Sequence, residues 1–123
     1  VAILGGCSKP PSVVGVWKGT LFQEEVTTEF KEDRTLTLGL RVGEMGANFT
    51  GTYTIDPKLL TITITDYKLK NVPDTLMPLA IQTFDPMRGK AYRMIYHFNS
   101  ENELSLKYQN KVDVLKRDAT DQG

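Results

Sequence analysis

Gly15-Val16-Trp17-Lys18-Gly19-Thr20 holds the only tryptophan of the chain and opens a long run of segments in which apolar and polar residues alternate. Trp17, Gly19 and Leu21 fall on one face, Lys18 and Thr20 on the other, which is the period of two expected of a half-buried strand. Val26, Thr28 and Phe30 form the next stripe, then Leu36, Leu38, Leu40 and Val42, then Ala47, Phe49, Gly51, Tyr53 and Ile55. Leu60, Ile62 and Ile64 follow, but after Thr65 the apolar face switches to Tyr67 and Leu69. A change of face within one strand predicts a bulge there.

The second half repeats the pattern. Tyr92, Met94, Tyr96 and Phe98 alternate with Arg93, Ile95 and His97, and Leu104, Leu106 and Tyr108 alternate with Glu103, Ser105 and Lys107. In the last segment, Val112 to Arg117, either Val112 and Val114 or Leu115 faces the core, so periodicity leaves its register open. The links at Lys31–Arg34, Gly43–Gly46, Asp56–Lys58, Asn99–Asn102 and Gln109–Asn110 are too short for parallel crossovers, so neighbouring strands run antiparallel. Closing eight such strands into an up-and-down barrel removes both exposed edges, and this all-β barrel is the expected fold. A two-sheet sandwich, which alternates in the same way, is the competing architecture.

One connection is long. Between Lys70 and Lys90, Leu76, Leu79, Ala80 and Phe84 recur at helical spacing, Asp74 can serve as N-cap, and Asp85-Pro86 supplies a stop. The expectation is a short helix over Asp74–Phe84 between the fifth and sixth strands, with Pro78 confined to its early turn. Such a helix has to cover something, and the nearest candidate is an open end of the barrel. Leu76, Met77, Leu79 and Phe84 would then form a lid.

Length and charge narrow the partners. The chain has 123 residues, one domain's worth, and fifteen Lys plus Arg balance fifteen Asp plus Glu. With no net charge there is no long-range field to attract a polyanion, which argues against nucleic acid.

The first residues bear on location. Val1 to Gly6 are apolar or small, like the end of a signal peptide, and Leu4-Gly5-Gly6-Cys7 resembles the bacterial lipobox, whose Cys is acylated. Cys7 is the only cysteine and sits at an apolar-to-polar switch, followed by Ser8-Lys9-Pro10-Pro11-Ser12. The expected organisation is a signal-peptide remnant at 1–6, a lipidated Cys7 and polar tether over 7–12, the barrel at 13–118 and a flexible tail at 119–123. Multiple acyl chains would hold such a domain stably at a membrane surface of the bacterial envelope, facing the periplasm or the cell exterior.

Gly15-Val16-Trp17, Phe30-Lys31-Glu32-Asp33, Gly51-Thr52-Tyr53-Thr54-Ile55-Asp56, Leu60-Thr61-Ile62 and Glu103-Leu104-Ser105-Leu106 together resemble the bacterial lipocalin-like lipoprotein domains. The resemblance implies that Trp17 plugs one end of the barrel, with Arg117 of the last strand stacked on it. It departs from the family at Asp33-Arg34, where Asp-Gly is usual.

Site chemistry for catalysis is thin. His97 is the sole histidine and points away from the Tyr92, Tyr96 and Phe98 face, so no His-centred triad or multi-His metal site is expected, and neither is a cofactor. Two non-catalytic roles fit. In one, the barrel carries or senses a small hydrophobic ligand, with Tyr53, Tyr67, Tyr92, Met94, Tyr96, Phe98 and Tyr108 as candidate walls. In the other, the barrel is filled and its outside meets an envelope protein partner. A continuous cavity of about 300 Å³ or more along Tyr53, Tyr92, Tyr96 and Phe98 would favour the first, and a filled interior with an exposed apolar patch the second.

Overall fold

The structure is a computed structural model that describes residues 12–21 and 24–118. Its eight strands are β1 (Gly15–Leu21), β2 (Glu24–Phe30), β3 (Thr35–Val42), β4 (Met45–Ile55), β5 (Leu59–Lys70), β6 (Ala91–Ser100), β7 (Glu103–Tyr108) and β8 (Lys111–Arg117). Each pairs antiparallel with its neighbours in sequence, and β1 pairs with β8, so the sheet closes as an up-and-down barrel and not as a sandwich. Between β5 and β6 lies one helix, α1 (Met77–Phe84), followed by a 3₁₀ turn over Asp85–Met87.

The alternation decides which side chains enter the core. Trp17, Val26, Phe30, Leu36, Phe49, Tyr53, Leu60 and Met94 are all buried, while Lys18, Thr27, Glu29 and Arg93 between them are exposed. In β5 the pairing jumps from Thr50–Asp66 to Gly51–Ile64, leaving Thr65 as the extra residue of a bulge, at the predicted position. The extra residue returns Tyr67 to the inner face. Gly51 sits beside the bulge because a Cβ there would run into the Thr63 carbonyl. In β8 the open register resolves in favour of Leu115, which is fully buried, while Val112 and Val114 face out.

The turn at Asp33-Arg34 keeps the sharp geometry that glycine usually provides. Arg34 is left-handed (φ 72°), and the Asp33 carboxylate accepts hydrogen bonds from the Thr35 amide (3.0 Å) and hydroxyl (2.5 Å). These bonds hold the Asp33 carboxyl below its ordinary pKa.

In an up-and-down barrel the connections alternate between ends. The chain start, the β2–β3, β4–β5 and β6–β7 turns and the end of β8 share the Trp17 end. The β3–β4 hairpin, the β7–β8 turn and α1 share the other, so α1 covers the end opposite Trp17.

The helix is shorter than expected and differently capped. It begins at Met77, not Asp74, and its N-cap is Leu76, which makes no side-chain cap. Pro78 explains the shift: it falls in the first turn, where a helix has no use for its missing amide hydrogen. Residues 73–76 instead form a turn closed by the Leu76 amide on the Pro73 carbonyl (2.9 Å). The expected end holds: the α-helix stops at Phe84 with Asp85 as its C-cap, and Asp85-Pro86-Met87 make one 3₁₀ turn before Arg88 becomes extended.

Candidate functional site

The closed end is built around Trp17. Its ring is fully buried, its Nε1 donates to the Val13 carbonyl (2.8 Å), and the Arg117 guanidinium lies 4.3 Å from the ring centroid. Arg117 also donates to the carbonyls of Val14 (2.8 Å), Ser12 (2.9 Å) and Glu101 (3.1 Å), so one side chain ties β8 to the entry of β1 and to the β6–β7 turn. Gly15 makes room for it, since a Cβ there would lie 2.5 Å from the guanidinium nitrogen Nη1. Trp17 and Arg117 are paired in register where β1 meets β8.

The seven candidate wall residues do not converge on one cavity. Tyr53, Tyr96 and Phe98 belong to the Trp17 end. Tyr53 stacks edge-on against Phe30 and donates its hydroxyl to the Lys31 carbonyl (2.6 Å). Tyr96 donates to the Asp56 carbonyl (2.6 Å) and packs on Phe98, which reaches Trp17. Met94 is buried midway along the barrel. Tyr67, Tyr92 and Tyr108 lie toward the α1 end: Tyr92 and Tyr108 meet edge-on at 5.8 Å, while Tyr67 joins Phe49 and Phe84. Burial raises the phenol pKa of both Tyr92 and Tyr67, and at Tyr67 the hydrogen bond its hydroxyl donates to the Asp85 carboxylate adds to the rise.

Between these clusters lies a small void. The void bordered by Leu38, Phe49, Ile62, Met87, Tyr92 and Met94 holds about 30 Å³, room for one or two waters. It falls well short of a pocket for a small organic ligand.

The larger apolar space lies at the α1 end, outside the packed core. Phe84 anchors the C-terminal half of the helix edge-on against the buried Phe49 (5.6 Å), and Arg88 pairs with Asp85 (3.1 Å) and Asp66 (3.5 Å). The N-terminal half stands away from the β3–β4 hairpin. Between them is an open cleft of about 170 Å³ lined by Leu40, Val42, Met45, Ala47 and Val72 on one side and by Leu76, Leu79, Ala80, Thr83 and Phe84 from the helix and its N-cap. Three of its walls are large side chains with much of their surface in solvent: Val42 at 44%, Leu76 at 40% and Leu79 at 60%. Of the candidate lid residues, Leu76, Leu79 and Phe84 therefore line the cleft, whereas Met77 is half-buried beside it and not in its wall.

Met45 and Val72 are cleft residues that sequence reasoning did not single out, and it reads Val42 only as part of a strand's inward stripe. A signal for them existed. Val42 and Val72 are the last apolar residues before a turn, and strand parity puts both turns at the end that carries the long β5–β6 connection.

Cys7 and the segments 1–11 and 119–123 lie outside the described residues. Among the described residues no group of three His, Cys, Asp or Glu side chains could hold a metal ion, and no helix is long and apolar enough to cross a membrane.

No protein-family model matches the sequence, and no curated protein matches it either. Solved structures do. A lipocalin-like protein from Bacteroides uniformis ATCC 8492 superposes with a TM-score of 0.59 at 13% identity, over 86% of this chain and 98% of that one. An uncharacterized protein from Bacteroides eggerthii DSM 20697 gives a TM-score of 0.57 at 10% identity, over 87% of this chain and 100% of that one. At these identities the likeness is one of fold alone: the chain folds as a lipocalin-like, closed eight-stranded barrel with a short helix between its fifth and sixth strands.

Proposed function

We propose that this protein is a non-catalytic binding module of the bacterial envelope, tethered to a membrane through an acylated Cys7, which captures the apolar part of a small hydrophobic ligand. Its binding site is the cleft between α1 and the β3–β4 hairpin. One observation carries the reading: Val42, Leu76 and Leu79, each substantially exposed, converge on a single concave apolar surface. Keeping such side chains in water is unfavourable by about 25 cal/mol for every Å² of apolar area that a ligand could cover. Scattered exposed hydrophobes need no explanation, but a cluster lining a cleft is the usual mark of a binding surface. The cleft is comparable in size to an apolar cavity of about 150 Å³ that holds one benzene ring, so it suits a ring or a short run of methylenes.

A second reading has its own support. The packed core fits a barrel that works from its outside, and Ile95 (54% exposed) and Val112 (59%) lie on the outer face of β6 and β8, one on each side of Lys107 in β7. A protein partner would use that face.

A fluorescent apolar probe, N-phenyl-1-naphthylamine, separates the two. The cleft reading expects saturable binding that Leu79→Asp abolishes while the far-ultraviolet dichroism is unchanged. No binding, or binding indifferent to Leu79→Asp, would reject it. For the anchor, Cys7→Ser should release the exported protein from membranes, and unchanged partitioning would reject acylation.

A further inference from the structure

The apolar cleft does not end in apolar surroundings. Leu40, Met45 and Gly46 line it and also line a second, polar depression of about 350 Å³, whose other walls include Arg41, Lys70, Asn48 and Asn71. The two lie on opposite faces of the β3–β4 hairpin, Leu40 and Ala47 pointing inward and Arg41, Gly46 and Asn48 outward, so the way from one to the other runs over the hairpin tip, where the Asn71 side-chain amide donates to the Glu44 carbonyl (3.3 Å). Arg41 and Lys70 are exposed, and neither forms an ion pair among those the described residues make. The neighbouring acids are Glu44, in the same depression, and Glu25, opposite Arg41 in the β2–β3 ladder.

We propose that the ligand is a single-chain amphiphile with an anionic head group, a carboxylate or a phosphate monoester. Its hydrocarbon lies in the α1 cleft and its head rests over the hairpin rim against Arg41 and Lys70. This deepens the cleft reading and rests on it. The chemistry follows from adjacency. The cleft has almost no polar lining with which to satisfy a head group, and an unpaired charge placed in it would lose its hydration without compensation. The polar depression that shares the hairpin with it offers two cationic donors that can take a carboxylate or phosphate oxygen, with the Asn48 and Asn71 amides beside them. A neutral ligand would leave these donors unused. A cationic one would meet Arg41 and Lys70 as like charges.

The cleft also limits the chain. With room for about one six-carbon ring's worth of hydrocarbon, successive methylenes should each tighten binding about three- to four-fold until the cleft is full, and add little beyond.

The test is isothermal titration of the folded domain with octanoate, decanoate, decyl phosphate and decanol, all below their micellar concentrations, at low and at physiological salt. Decanoate or decyl phosphate should bind about five- to ten-fold more tightly than decanol at low salt, and added salt should erode that advantage. Which anion is the tighter separates the carboxylate from the phosphate source. Lys70→Gln and Arg41→Gln should each reduce the anion's advantage and leave decanol unchanged. Arg41 also donates to the Gly43 carbonyl (3.3 Å), so Lys70→Gln is the cleaner variant. Decanol binding as well as the anions would overturn the head-group proposal and leave the cleft reading standing. Failure of all four ligands to bind would overturn both.

Discussion

Arg117 and Trp17 face each other across the seam where the barrel closes, paired in the β1–β8 register with the guanidinium over the indole ring. The contact joins the beginning and the end of the described chain. Trp17→Ala should therefore lower unfolding free energy by about 3–5 kcal/mol, as for a fully buried large side chain. Arg117→Lys keeps the charge but loses the planar fork that serves three carbonyls, so it should cost less than Arg117→Ala yet still be destabilising. Urea titration checks both, and a Trp17→Ala cost below about 1 kcal/mol would contradict a sealed end.

Acid should weaken the β2–β3 turn. The folded pKa of Asp33 is depressed by its Thr35 hydrogen bonds, so its contribution is complete above the unfolded carboxylate value near 4. It fades as pH falls below that value, through the folded pKa, because the unfolded chain takes up the proton first. The urea midpoint should therefore drop less between pH 6 and pH 3 in Asp33→Ala than in the parent. Equal drops would show that the turn bonds are not linked to stability.

Phe84 holds α1 at one end only. Since Phe84 is half-buried, Phe84→Ala should cost about 1–3 kcal/mol, less than a core phenylalanine. Its clearer effect should be local: faster amide hydrogen exchange across residues 77–87 with the strands protected as before. Uniformly faster exchange throughout the barrel would mean that the helix is part of the cooperative core.

The core and the cleft should be separable by mutation. Met94→Ala opens a hole in the packed barrel and should cost about 2–5 kcal/mol without weakening capture of an apolar probe. Leu79→Asp places a carboxylate on a side chain 60% exposed in the free protein, so stability should change little while capture is lost. Reversed effects would place the ligand inside the barrel.

Most of the architecture is legible in the sequence because a closed antiparallel barrel writes its inside and outside as strict alternation. Even the bulge at Thr65 is visible, as the residue after which the inward set changes parity. β8 is not legible in this way, because Val112, Val114 and Leu115 put apolar residues on both parities and only packing against Leu104 and Gly19 selects Leu115. The helix start is obscured by two competing signals. Asp74 is a good cap residue, but Pro78 is accommodated by a helix that begins just before it, and the proline sets the boundary. The cleft is the least legible feature. Its walls come from separate segments whose apolar residues look like ordinary strand ends, whereas the tyrosines that attract attention by composition divide between the two ends of a filled barrel.

The most direct test of the central claim, that an apolar chain is held between α1 and the β3–β4 hairpin, is a methyl-resolved NMR titration with decanoate. The methyl signals of Val42, Leu76, Leu79 and Ala80 should move together and saturate, while those of the packed interior, Leu36, Leu60 and Leu104, stay still. Shifts centred on the interior methyls, or none anywhere, would contradict it.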